Sequence, residues 1–331
     1  MHPSSPSALF SPRAFSAPLW LTNHHAQTLY GALWAPAERP SWQRQRWTTP
    51  DDDFIDVDIL EGASTAPTLV IFHGLEGSTN SRYVRTLAHS AHQAGWRVVA
   101  PNFRGCSGII NRLPRTYHAG DSAEIHWILS HTRSIYAGAP LHAIGVSLGG
   151  NMLLKWLGEQ RDQACTLLTK AAAVAAPLDL QAVGDHLAQG FNRLYTRHFL
   201  ATLKQKARDK FNQYPGLFNL AATLKARTLR EFDNHFIAPL HGFANVDDYW
   251  KRCSSKPWLN QIRVPTLLLS AWDDPFLPDG VLPEQQQCSP DVTRDFQARG
   301  GHVGFVSGRF PGQIHWMPQR VMQFFLKRSA G

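Results

Sequence analysis

Short, mostly apolar runs recur along the chain at residues 68–72, 97–100, 141–146, 171–176, 266–271 and 293–297. Runs of this length that are not interrupted by regular polar positions predict strands covered on both faces, as in a parallel sheet. Helix-sized amphipathic stretches lie between them, at 81–94, 119–131, 148–159 and, near the end, 317–327. Strands alternating with helices predict an α/β fold: a mostly parallel sheet with right-handed crossovers and helices on both faces. Ahead of this series, 43–49 and 54–60 alternate polar and apolar residues around Thr49-Pro50-Asp51-Asp52-Asp53, which predicts an antiparallel hairpin.

The interval 178–259 breaks the rhythm. It offers no strand and reads as helical, with breaks at Gly190, at Pro215-Gly216 and over 239–242. A helical insertion between two strands predicts a cap over the strand ends, where open α/β sheets place their sites. The expected organisation is therefore a Ser- and Pro-rich, disordered segment over 1–17, a core formed by 18–177 and 260–331, and a cap over 178–259.

Composition narrows the function classes. With 331 residues, 43% of them hydrophobic, the chain can build a large core. No apolar run approaches the roughly 18 residues of a spanning helix, and 1–17 lack the apolar stretch of a secretory signal. Cys106, Cys165, Cys253 and Cys288 are scattered without Cys-x-x-Cys spacing. That argues against a zinc ribbon or a disulfide framework and points to a reducing, cytoplasmic setting. The formal charge is +8, and between 193 and 230 Arg193, Arg197, Lys204, Lys206, Arg208, Lys210, Lys225, Arg227 and Arg230 meet only Asp209. The plainer reading is a solvated helical face; a peripheral contact with an anionic membrane surface, or an anionic substrate, is kept beside it. Aromatic residues do not interleave with these bases as in a nucleic-acid module, so no nucleic-acid partner is expected.

The candidate chemistry centres on Gly145-Val146-Ser147-Leu148-Gly149, between the strand at 141–146 and the helix that follows. Strand, Gly-x-Ser-x-Gly and helix is the pattern of a tight turn that lifts a serine hydroxyl above the sheet, beside free helix N–H groups. A serine hydroxyl needs a base, and His302, in the glycine-rich Arg299-Gly300-Gly301-His302-Val303-Gly304-Phe305 after the last predicted strand, can reach over the sheet. The imidazole needs a carboxylate behind it. Two adjacent aspartates follow the strand at 266–271. Asp274 is preferred on its spacing to Pro278, and Asp273 is left to cap a turn or brace the loop. An oxyanion hole needs two N–H donors, expected from Leu148 and from Leu75 in His73-Gly74-Leu75-Glu76-Gly77. Apolar residues of the insertion, Phe191, Leu194, Phe199, Leu217 and Phe218, are expected to shape an acyl pocket. There is no His-Glu-x-x-His, no Gly-x-x-x-x-Gly-Lys-Ser/Thr and no Gly-x-Gly-x-x-Gly after a strand, and the neighbours His24 and His25 would point apart.

These segments, with Asn23-His24-His25-Ala26-Gln27-Thr28, Asn102-Phe103-Arg104-Gly105-Cys106-Ser107-Gly108 and Arg115-Thr116-Tyr117-His118-Ala119-Gly120-Asp121, resemble the α/β-hydrolases of the YheT-like branch and its eukaryotic abhydrolase-domain proteins. The likeness covers nearly the whole chain from residue 18, and departs from the expected pattern by Ala26 where Leu is expected. It implies the α/β-hydrolase fold and carboxylic-ester hydrolysis with no metal or organic cofactor, on a small-molecule or lipid-like ester. An acyltransferase or thioesterase using the same three residues is the rival within this class. A non-catalytic binding protein on the same fold is the rival outside it. Arg104 could grip a substrate carboxylate or phosphate; the preferred reading is a structural ion pair between Arg104 and Asp121.

Overall fold

The computed structural model describes residues 14–327. The runs assemble into one eight-stranded sheet in the order β1-β2-β4-β3-β5-β6-β7-β8. The strands are β1 (Gln43–Thr48), β2 (Phe54–Leu60), β3 (Thr68–Phe72), β4 (Arg97–Pro101), β5 (Leu141–Val146), β6 (Lys170–Val174), β7 (Thr266–Ala271) and β8 (Val292–Gln297). The expected hairpin is present, with β1 antiparallel to β2 and Gln43 opposite Ile59. β2 also pairs antiparallel with β4, and every later pairing is parallel.

Helices cover both faces. Along the chain they are α1 (His24–Leu33), α2 (Arg82–Gln93), α3 (Ser122–Ile135), α4 (Leu148–Gln160), α5 (Ala164–Leu167), α6 (Leu180–Leu187), α7 (Arg193–Gln213), α8 (Leu220–Lys225), α9 (Leu229–His235), α10 (Ile237–Leu240), α11 (Val246–Cys253) and α12 (Trp316–Leu326). Successive residues of a strand face opposite ways. Val70 and Phe72 therefore pack with Ile125 and Leu129 of α3 and Leu153 of α4, while Leu69 and Ile71 pack with Leu87 of α2 and Val321 of α12.

Three features differ from the sequence pattern. The alternation in β2 predicts one wet face, yet all seven of its residues are buried. Asp56 and Asp58 tolerate burial because Arg46 and Arg44 of β1 grip them with paired bonds of 2.7–3.0 Å, and Ser107, Thr79 and Asn102 donate to them as well. The helix expected from 119 starts at Ser122, since Asp121 accepts the Glu124 N–H at 3.2 Å and caps it. The Asn23–Thr28 motif, for which no element was predicted, lies on α1, capped by Asn23 accepting the Ala26 N–H at 3.0 Å. Of the segment expected to be disordered, 1–13 lie outside the described residues. Phe15 packs edge-on against Phe305 and Trp316, with ring centroids 5.3 and 5.1 Å apart.

Between β6 and β7 the chain forms α6–α11 and, among the described residues, no strand. These helices share an apolar cluster that includes Val183, Leu203, Phe232, Phe236 and Trp250, continued to the sheet side by Phe276. The Trp250 ring of α11 lies directly on the α6 backbone there: a Cβ on Gly184 would lie 2.4 Å from it. Among the described residues no helix is long and apolar enough to cross a membrane, and the four cysteines are unpaired.

Candidate active site

β5 runs directly into α4, and Ser147 between them has φ 53° and ψ −122°. That conformation costs a non-glycine residue of order 1–3 kcal/mol and persists only where neighbours enforce it. The Ser147 N–H donates to Val174 O of β6 at 2.8 Å, and its carbonyl accepts from the Gly150 and Asn151 N–H groups at 2.8 and 3.1 Å. The flanking glycines answer to space. A Cβ on Gly145 would fall 2.2 Å from Gly149 O, and one on Gly149 would fall 2.5 Å from His73 O.

His302 stands on the loop after β8, where Gly300 and Gly301 have φ of 155° and 61° and even Val303 and Phe305 are held at 61° and 40°. Its Nε2 lies 2.9 Å from Ser147 Oγ, and its Nδ1 lies 2.9 and 3.2 Å from the two oxygens of Asp274. With Nδ1–H donated to the carboxylate, Nε2 is left to accept the serine proton. Asp274 is buried and its Oδ1 also accepts the Phe276 N–H at 2.9 Å. The Phe276 ring lies parallel to the imidazole at 3.9 Å and restricts its tilt. Asp273, the other aspartate, accepts the Gly301 N–H at 3.0 Å, and burial raises its carboxyl above the ordinary range.

The Leu75 and Leu148 amides donate to no protein acceptor among the described residues. The loop bearing Leu75 abuts the serine, since a Cβ on Gly74 would sit 3.0 Å from Ser147 Cβ. The Gly74 carbonyl accepts from His73 Nδ1–H at 2.8 Å and from the Gly77 N–H at 3.0 Å. In a trans peptide the carbonyl and the next N–H point opposite ways, so these bonds set the direction of the Leu75 N–H. The Gly74 N–H donates to Tyr83 Oη at 2.8 Å. His73 Nε2 accepts the Phe103 N–H at 3.0 Å, and burial pushes the His73 pKa down to about 4, so the ring is neutral and this bonding pattern is fixed. Two preorganised N–H groups beside a serine, with an imidazole and a buried carboxylate in line, can stabilise an oxyanion and shuttle one proton.

Two cavities meet at Ser147. The smaller, about 100 Å³ and mainly apolar, runs beneath the α6–α11 helices past Val183, Leu187, Leu203 and Phe236, with Glu76, Lys206, His118 and Asp233 also on its wall. The wider, about 380 Å³, lies between α1, the Gly74–Gly77 turn and the start of α7, and includes Tyr195 and His198. Of the residues expected to form an acyl pocket, Phe199 lines both cavities and Leu194 the wider one. Phe218 is buried among the inserted helices instead, and Phe191 and Leu217 are about half exposed and line neither cavity.

Arg104 does not pair with Asp121. It is buried and bonds to Glu124, Asp53 and Asp51 at 2.5, 2.9 and 3.1 Å, so its charge is matched by carboxylates of the fold itself; Asp121 pairs with Arg115 at 2.6 Å. The basic stretch divides. Arg193, Arg197, Arg208, Lys225 and Arg227 are exposed, whereas Lys206 turns to Glu76, Lys210 donates to Asn111 O and Leu113 O, and Arg230 pairs with Asp185 and Asp247. Sequence reasoning assigned no role to Gln27 and Thr28. Thr28 Oγ1 accepts the His302 N–H at 2.9 Å, and Gln27 brackets Val306 by accepting its N–H at 2.8 Å and donating to its carbonyl at 3.0 Å. A buried Gln-Thr pair in the resemblance motif was the available signal.

The alpha/beta hydrolase fold family matches residues 67–308. YheT of Escherichia coli strain K12 is 40% identical over 96% of this chain and 93% of its own length. Phospholipase ABHD3 of Mus musculus is 30% identical over 92% of this chain and 76% of its own. Among solved structures, a bacterial membrane phospholipase A superposes with a TM-score of 0.57 at 16% identity, covering 90% of this chain and 87% of that one, which speaks for the fold alone. Sheet order, strand directions and these likenesses agree: the chain belongs to the α/β-hydrolase family, in its YheT-like branch.

Proposed function

We propose that the protein is a serine esterase that cleaves carboxylic esters through an acyl-enzyme. The reading rests on the unbroken hydrogen-bonded chain from Ser147 Oγ through His302 to Asp274. Ser147 attacks the ester carbonyl while His302 Nε2 takes its proton, and the Leu75 and Leu148 amides receive the oxyanion. His302 then protonates the departing alcohol, and a water deprotonated by His302 hydrolyses the acyl-serine. Asp274 holds the tautomer and balances the imidazolium charge. Residues 178–259 act as a cap on the core formed by 18–177 and 260–331. The apolar chamber beneath that cap takes the acyl chain, and the wider cleft takes the alcohol portion.

A lipid-like ester suits the apolar chamber, and the relative named as a phospholipase points the same way. The exposed cations of α7 are suited to a peripheral contact with an anionic membrane surface, and four unpaired cysteines fit a cytoplasmic setting. The test is Ser147→Ala assayed on soluble p-nitrophenyl esters. Turnover is expected to fall by about 10³-fold or more, and a fluorophosphonate probe is expected to label the parent protein and not the variant. Full activity in the variant would end this reading. Free acid as the only product, with alcohols and thiols offered as competing acceptors, separates hydrolysis from acyl transfer.

A further inference from the structure

The turn that carries Leu75 is gripped by a side chain from the inserted helices. Glu76, the next residue, has φ 54°, a strained conformation for a residue with a Cβ. Its carboxylate is nearly buried, 6% exposed, and its Oε1 accepts from Tyr117 Oη–H at 2.7 Å and from Lys206 Nζ at 2.8 Å. Its own N–H donates to Tyr117 Oη at 2.9 Å. Lys206 projects from the middle of α7, with its ammonium also 3.1 Å from Cys106 Sγ. The same helix carries Phe199 and Leu203, which line the apolar chamber. One ammonium thus neutralises the only ionic group on the turn that orients the Leu75 amide.

We propose that Lys206 is a positioning residue for the reaction: through Glu76 it holds the Leu75 N–H where the oxyanion develops, so that α7 and the oxyanion hole form one mechanical unit. The inference deepens the esterase reading and rests on it. A buried carboxylate stripped of its countercharge either takes up a proton or turns toward water. In both cases the enforced backbone at Glu76 relaxes and the Leu75 amide loses its aim. A preorganised donor acts on the charge that appears in the transition state, so the loss falls on kcat and leaves ground-state binding nearly unchanged.

The experiment uses Lys206→Met, which keeps the aliphatic stem, with Lys206→Arg, Glu76→Gln and the Lys206→Met/Glu76→Gln double variant, on p-nitrophenyl butyrate. Lys206→Met is expected to lower kcat about tenfold with KM within about twofold, and Lys206→Arg to recover most of the rate. The double variant is expected to be no worse than Lys206→Met alone, since both changes cut one link. Affinity for a trifluoromethyl ketone, whose tetrahedral adduct carries the oxyanion, is expected to fall by the same factor as kcat/KM. Wild-type kcat and adduct affinity in Lys206→Met overturn the proposal, as does a loss confined to KM. If Lys206→Met does not fold, the same kcat and adduct readouts on Glu76→Gln decide it. Full activity of Ser147→Ala would sink the esterase reading itself, whereas an inactive Ser147→Ala beside a fully active Lys206→Met sinks only this inference.

Discussion

Adjacent in sequence, Asp273 and Asp274 hold two different parts of one loop: Asp273 takes the backbone N–H of Gly301, and Asp274 takes the ring of His302. The two are separable by experiment. Asp274→Asn is expected to lower kcat by about 10⁴-fold with little change in KM, because the amide favours the wrong imidazole tautomer. Asp273→Asn keeps an acceptor for Gly301 and is expected to stay within about tenfold of the parent rate, its effect showing chiefly as a lower melting temperature. Steady-state kinetics of the two variants side by side check the assignment.

Thr28 supports His302 from a helix at the other end of the chain. Thr28→Val removes the acceptor and leaves a largely buried N–H unsatisfied, which is expected to destabilise the fold by about 1–3 kcal/mol. kcat is expected to fall with it, whereas Thr28→Ser retains both. Denaturant unfolding and kinetics on a soluble ester provide the two readouts.

Val183 on α6 faces the apolar chamber. Val183→Trp fills part of it, so long acyl chains are expected to lose about tenfold or more in kcat/KM while butyrate is retained, a methylene in an apolar pocket being worth about 1–3 kcal/mol. A graded series of p-nitrophenyl esters from acetate to laurate reads the cut-off. A uniform loss at every length would place the acyl chain elsewhere.

His142 on β5 is buried beside Trp96 and Phe325, and its Nδ1 has no hydrogen-bond partner among the described residues. Burial pushes its pKa down to about 3, from 6.5. The unfolded chain therefore binds a proton that the folded protein refuses, so this site's contribution to stability is lost as pH falls from 6.5 toward 3 and is unaffected above 6.5. His118 and His241 behave alike, so acid unfolding is expected to be steep in this window. His142→Phe is expected to leave kcat unchanged and to raise the melting temperature more at pH 5 than at pH 8. An equal shift at the two pH values would refute the assignment.

How much of this was legible in the chain depended on distance along it. The strands and the turn at Ser147 were readable because each is a local pattern: apolar runs of strand length, and two glycines that keep backbone atoms from colliding. His302 and Asp274 were readable as positions after particular strands. The role of Thr28 was not, because its partner lies 274 residues away and the motif around it, though it carries the resemblance, names no partner. Nor could the sequence tell which apolar residues of the inserted helices face inward. Phe199 on α7 reaches the cavities while Leu217, in the turn between α7 and α8, is about half exposed, and only the packing of the inserted helices decides between them. Arg104 fell between these cases. A structural ion pair was the preferred reading, with Asp121 as the partner, but its partners Glu124 and Asp53 come from helix and β-hairpin segments that only the folded sheet brings together.

The two cavities share Ser147 and His302 but differ nearly fourfold in volume, about 100 against 380 Å³. On the esterase reading proposed above, an ester at the serine would straddle the junction, its smaller part on one side and its bulkier part on the other. The relative size of the two parts, more than the identity of any one group, would then set which bond comes under attack.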